Sequence, residues 1–334
     1  MCEKKGREDW LDLCKIISTL LVILLHTINI GIMTNKRNFA LLFYNIGVFA
    51  VPLFFMANGY LQLGRMKNYK YALKKIINIL FVCFMWNIPI FLAQILIKKE
   101  TSNIFINILN NFVRDGFFFQ FWFLGALILI YLFLPLLQKI FNTKKIYKYI
   151  TLFLFICCIS IDFINILNCQ FGHEIIKNKI SQIFRLWTWL FYFFVGGLVK
   201  KDNPLKKTDK KKLITITLVM LMISILYEYF FAYILYSDMY AENFYDSLLI
   251  CTTTFLLFNL FKRMNVKSRY ITFFGSLMMG VYIIHPTLIR ILRKIGVMNN
   301  DYFNIIWALI IFLISIFISY IISKIPVVKK AIKI

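Results

Sequence analysis

Acidic side chains are scarce in this sequence. Of 334 residues only 15 are Asp or Glu, against 39 Lys and Arg, and charged residues make up 16% of the chain, where soluble domains carry about 25%. There are three histidines, and the seven cysteines (Cys2, Cys14, Cys83, Cys157, Cys158, Cys169, Cys251) form no C-x-x-C pair. Neither a metal spacing nor a disulfide framework is visible, and the cysteines read as packing residues. No internal repeat and no low-complexity linker appear. The first apolar run lacks a small-residue cleavage site and holds Asp12 and Lys15, so it reads as an anchor rather than a signal peptide. These absences exclude a disordered tail, a disulfide-stapled secreted module and an ordinary cytosolic enzyme. What abounds is apolar: 60% of the residues, with a formal charge of +24. That excess suits a nucleic-acid partner, or a membrane protein whose cations gather on one side.

The positions of the cations decide. About 20 apolar residues span a bilayer as a helix, and ten such stretches are present: 11–33, 41–63, 76–97, 121–140, 147–168, 182–199, 213–236, 246–261, 271–292 and 304–325. The sixth and eighth are short. With the N-terminus in the cytoplasm, 27 Lys and Arg fall on the inner side, 9 fall outside, and Lys15, Arg185 and Arg290 lie within spans. That bias follows the positive-inside rule. The expectation is an all-α, polytopic membrane helix bundle of about ten transmembrane helices. It forms a single domain over 1–334, surrounded by membrane lipids, with both termini cytoplasmic and no nucleic-acid partner. In the longest outer loop, Asn103, Asn107, Asn110, Asn111 and Arg114 recur with helical period, which predicts a helix on the membrane surface with its apolar face in lipid or on the bundle.

Ionisable groups inside spans are costly and mark candidate function. Lys15 and His26 are eleven residues apart, about 20° past three full turns and about 16 Å along the axis, so they share a face. Asp12 lies one turn below Lys15, and Asn29 one turn above His26. Lys15 is read either as a snorkelling cation or as part of a site. His26 is read either as an interhelical hydrogen-bonding group or as a proton carrier. In the ninth span, Tyr282 and His285 are one turn apart, followed by Pro286. His285 and His26 are each seven residues from the outer ends of their spans, which places them at similar depth. Asp162, Arg185 and Glu228 fall toward the outer ends of three further spans, as an ion pair or as substrate contacts. Arg65, Lys67, Lys70, Lys74 and Lys75 crowd the inner mouth after the second span, where an anionic ligand would find them attractive.

These residues carry a resemblance. The chain resembles the integral-membrane acyltransferase family 3, which moves acyl groups, often acetyl, onto cell-surface glycans. Four segments match in order: Trp10-Leu11-Asp12 through Lys15 to His26; Val51 to Leu61; Phe121-Trp122-Phe123-Leu124 with Leu134-Pro135-Leu136-Leu137; and Gly280 to Pro286. The family's basic-x10-His pattern falls on Lys15 and His26, with Lys for the commoner Arg, and its Ser-Gly-Tyr turn reads Asn58-Gly59-Tyr60. Where the family often shows Arg-x-x-Arg, this chain has Lys75-Ile76-Ile77-Asn78. The hydrolase-like domain fused to some relatives is not seen.

The resemblance implies a bacterial plasma-membrane O-acyltransferase. It would take an acetyl or other short acyl group from cytoplasmic acetyl-CoA to a hydroxyl of a cell-surface or lipid-linked glycan. No permanently bound cofactor is expected, and self-association into a homo-oligomer is left open. His26 is the expected general base, with Lys15 and Asp12 lining the route. Arg65, Lys74 and Lys75 would dock the donor. Tyr282, His285, Arg185, Glu228, Trp122, Asn58 and Tyr60 would contact substrate. The rival class is a proton-coupled transporter or flippase. It suits the buried charges, although neither a two-fold repeat nor matched broken helices are visible in the sequence.

Overall fold

The computed structural model describes residues 8–28, 40–64, 68–96, 103–232, 241–298, 301–326 and 328–332. Among these the chain is all helical, and a helix occupies each of the ten apolar stretches. They are α1 (Asp9–Thr27), α2 (Ala40–Leu63, its third turn tightened), α3 (Tyr69–Leu96), α4 (Ile104–Val113), α5 (Trp122–Leu132), α6 (Leu134–Asn142), α7 (Lys144–Gln170), α8 (Leu186–Lys201), α9 (Lys210–Phe230), α10 (Leu248–Arg263), α11 (Arg269–Gly275), α12 (Met278–Lys294) and α13 (Asp301–Lys324). Six are long and apolar enough to cross a membrane, and eight segments are if each bent pair counts as one span. The others, α8 and α10, have 16 residues each, about 24 Å of helix against a hydrocarbon core of about 30 Å.

Lipid is the solvent these helices fit. On α3 the residues Leu73, Ile77, Leu80, Phe81 and Phe84 are exposed, while Asn87 is wholly buried. α9 likewise exposes Leu218, Met222 and Leu226 and buries Thr217, Ser224 and Glu228. Apolar residues outside and polar residues inside invert the pattern of a soluble helix. The chain is a multi-pass, all-α helix bundle.

Two expected spans are broken. The fourth bends by 62° between α5 and α6, where Pro135 opens α6 and lacks the N–H that a continuous helix would need. The ninth bends by 52° between α11 and α12. Of the two breaks only the first is marked in the sequence, by Pro135. The sixth span also differs: a single tight turn, Gln182–Phe184, precedes α8, and Arg185 sits at the junction rather than within the helix. Its Nε donates to the Ile180 carbonyl at 3.1 Å.

The described residues divide into two compact units. The first comprises residues up to 61 and 192–316, the second 62–191 and 317–334. In the first, α1 packs on α10, α11 and α12, and α9 packs on α10 and the start of α2. Gly59 of α2 and Gly196 of α8 let two backbones touch: a Cβ on either would overlap the other helix's carbonyl, that of Phe193 or of Met56. In the second, α3 carries α4, α5 and the turn Val328–Ile332, whose Ala331 carbonyl accepts from Trp86 Nε1 at 2.9 Å. The asparagine stripe does form a helix, α4, capped by Asn103, which accepts from the Phe105 and Ile106 amides. Its polar face turns inward: Asn111 donates to Asn87 Oδ1 at 2.8 Å and Asn107 to Gln94 at 2.7 Å. Phe105, Ile106 and Leu109 point outward.

Candidate functional site

The first unit brings the two intramembrane histidines together. His26 Nδ1 and His285 Nε2 are 2.9 Å apart, with rings within 11° of parallel. His285 is fully buried, and its Nδ1 lies 3.1 Å from the Val281 carbonyl, one turn back on α12. A carbonyl only accepts, so His285 Nδ1 carries a proton and its Nε2 carries a lone pair. His26 Nδ1–H must then donate to that lone pair, which leaves the basic lone pair on His26 Nε2. This assigns the tautomers from the hydrogen-bond network. Tyr282 joins the pair, its ring centroid 6.2 Å from that of His285.

α1 is fastened at each end, to α11 and to α12. At the start of α1, Asp9 accepts from the Ser268 amide and the Thr272 hydroxyl, both at 2.8 Å. At its finish, Arg293 of α12 donates to the His26 carbonyl at 2.8 Å and reaches the Thr27 carbonyl at 3.4 Å. Those carbonyls have no partner within α1, and a cation at a helix C-terminus suits them. Between the fastenings, Gly275 lies against Asp12, where a Cβ would come within 2.5 Å of the aspartate's own.

The other residues expected at the site are distributed as follows. Asp12 is buried beside Lys15, whose Nζ is 3.4 Å from Asp12 Oδ1; Thr19 donates to the Lys15 carbonyl at 2.8 Å. Both lie on the α1 stripe, toward the Glu8 end. Asn58 donates to the Phe54 carbonyl at 2.9 Å, one turn back on its own helix. Tyr60 stands at the Glu8 end of α1, not beside the histidines: its hydroxyl donates to Glu8 Oε2 at 2.9 Å. Glu228 is buried, and neither of its carboxylate oxygens has a hydrogen-bond partner among the described residues. Trp122, Arg185, Lys74 and Lys75 belong to the second unit, where Trp122 packs on Trp189 with ring centroids 5.1 Å apart. Arg65, with Lys67 and Asn29, lies outside the described residues.

Sequence reasoning missed Asp9 and Arg293. Arg293 counts there only as a cation flanking a span. Its place at the C-terminal end of an apolar helix is the one available hint, and its partner on α1 is a long-range contact with no sequence signal.

Residues 8–324 match the family model described as an acyltransferase domain, that of acyltransferase family 3. An amino-acid racemase of Enterococcus faecalis is 23% identical over 335 residues, covering 92% of this chain and 45% of that protein. The chain thus spans about half the length of this curated relative. No solved structure matches the chain.

Proposed function

The chain belongs to acyltransferase family 3, and from that premise we propose that it transfers a short acyl group, acetyl in the simplest case, from cytoplasmic acyl-CoA to a hydroxyl of a cell-surface or lipid-linked glycan. The observation that carries the reading is the 2.9 Å contact between His26 Nδ1 and His285 Nε2, with His285 Nδ1 on the Val281 carbonyl. It orients a base through a second group that is itself oriented, the arrangement that activates a weak hydroxyl nucleophile.

In this mechanism the acceptor oxygen attacks the acyl carbonyl carbon as its proton passes to His26 Nε2. The resulting imidazolium is steadied by the Nδ1–H bond to His285. The carbon–sulfur bond breaks, and the thiolate takes the proton back from His26. His285 is thereby a positioning residue, and the Tyr282 ring packs beside it. Lys15 and Asp12 line the approach along α1. Glu228 is assigned to the acceptor. Both termini lie in the cytoplasm of a bacterial cell in this reading.

The two bent spans favour one rival, a proton-coupled transporter, since such proteins place broken helices at their binding sites. Purified protein in liposomes with radiolabelled acetyl-CoA and glycan acceptors separates the two. Label on glycan that disappears in His26→Ala supports transfer, by about 10²–10⁴-fold for a lost general base. Glycan crossing the bilayer unlabelled would overturn it.

A further inference from the structure

Two buried polar side chains of the first unit, Glu228 and Asn45, are satisfied by no described residue. Glu228, on the last turn of α9, is 1% exposed, and Asn45, near the start of α2, is 3% exposed. Neither Glu228 oxygen has a hydrogen-bond partner among the described residues, and neither does Asn45 Nδ2. Comparable groups nearby and elsewhere do. One turn before Glu228, Ser224 Oγ lies 2.8 Å from Thr253 Oγ1 of α10 and donates to the Met220 carbonyl at 2.8 Å. The buried amides of Asn87 and Asn259 each donate to the carbonyl one turn back, at 2.7 and 2.8 Å; that of Asn45 does not.

The packing brings both groups to the part of the unit where His26 lies. α9 packs on the start of α2, and the face of α2 that carries Asn45 also holds Ala40, Leu41 and Tyr44, all buried. Two residues beyond Asn45, Gly47 abuts α1: a Cβ there would overlap the side chain of Leu25, the residue before His26. Burial without a partner is costly for an amide and far more so for a carboxylate. The ligand that completes this pair must therefore give donors to Glu228 and an acceptor to Asn45. A phosphate or a uronic acid fails, because it sets a second negative charge against Glu228. A neutral hydroxyl meets the hydrogen bonds but leaves the carboxylate charge unbalanced. An ammonium beside a hydroxyl answers both needs, and its bond to a carboxylate is charge-assisted.

We propose that Glu228 and Asn45 select an acceptor saccharide carrying a free amino group, with the ammonium on Glu228 and a ring hydroxyl on Asn45. This narrows the acceptor class within the acyltransferase reading above, and rests on it. The test is equilibrium binding of radiolabelled sugars to the full chain in phosphatidylcholine nanodiscs, with no acyl donor present. Glucosamine should bind wild type about tenfold or more tighter than N-acetylglucosamine, and glucuronic acid should bind more weakly than either. Glu228→Gln should bring glucosamine down to the level of N-acetylglucosamine, while Glu228→Asp should keep most of the preference. Asn45→Leu should weaken glucosamine and N-acetylglucosamine alike, by about two- to tenfold. Wild type that binds N-acetylglucosamine as tightly as glucosamine would overturn the assignment, and that comparison needs no variant to fold. Glu228→Gln that keeps the wild-type preference, changing only thermal unfolding, would leave the pair to internal water and sink it too. No preference among the sugars while acetyl transfer to glycan persists would defeat this proposal alone. Wild type that binds none of the three and transfers no acetyl would take the acyltransferase reading with it.

Discussion

Replacing His285 tests the histidine pair most directly. The side chain is fully buried and accepts the Nδ1–H of His26. While His26 is neutral this is an ordinary hydrogen bond, with a net value of about 0.5–1.5 kcal/mol; once His26 has taken a proton it is charge-assisted, at about 1.5–3 kcal/mol. Only the difference, about 1–2 kcal/mol, acts on the barrier. At 1.36 kcal/mol per decade, this lowers kcat by about 5–30-fold. His285→Phe fills the space without accepting, and should show this loss. His285→Gln offers a carbonyl oxygen in a similar place and should recover most of it. His26→Ala should cost about 10²–10⁴-fold, and His285→Phe should add almost nothing in that background, because groups acting as a unit are not additive. The assay is initial-rate acetyl transfer in liposomes with matched protein insertion. His285→Phe within twofold of wild type, or a loss that persists in full without His26, would refute the proposed relay.

Four further outcomes follow from packing, backbone conformation and hydrogen bonding. Gly59→Ala and Gly196→Ala should each lower the thermal unfolding temperature in detergent sharply, because the added methyl overlaps a backbone carbonyl and overpacking alone costs about 1–3 kcal/mol. Gly172→Ala, at a loop position open on all sides but with φ 73°, should cost only about 1 kcal/mol. Arg293→Gln should remove about 1–3 kcal/mol of local stability from the end of α1, read as faster amide hydrogen exchange near His26 together with a lower kcat. Asn111→Leu strips a partner from Asn87 Oδ1 and from the Phe118 amide, each at 2.8 Å. It should destabilise the protein by about 2–5 kcal/mol, visible as a lower unfolding midpoint.

The helical segments were legible because an apolar run of span length has one physical solution in lipid, the helix. The equal depth of His26 and His285 was legible as well, as two sevens counted from span ends. Their contact was not, because no periodicity says which helices are neighbours. The Asn58-Gly59-Tyr60 motif shows how a correct segment can carry a different explanation. Its middle residue meets a steric demand from α8, and its tyrosine serves the opposite end of α1 from the histidines. The asparagine stripe of α4 was legible as a helix face, yet its direction was not. In lipid, amides seek one another, and Asn87 of α3 supplies the partner for Asn111. The break before α12 lacks the proline that marks the break before α6.

The paired fastenings on α1 place the control of the histidine contact away from the histidines. Asp9 holds the start of α11 and Arg293 of α12 holds the finish of α1. Sliding by one helical turn is about 5.4 Å, far more than a hydrogen bond can stretch, so both bonds resist a change of register between α1 and its neighbours. The arginine among them is exposed, and a ligand or modification acting there would reach the histidine pair through the backbone carbonyl of His26.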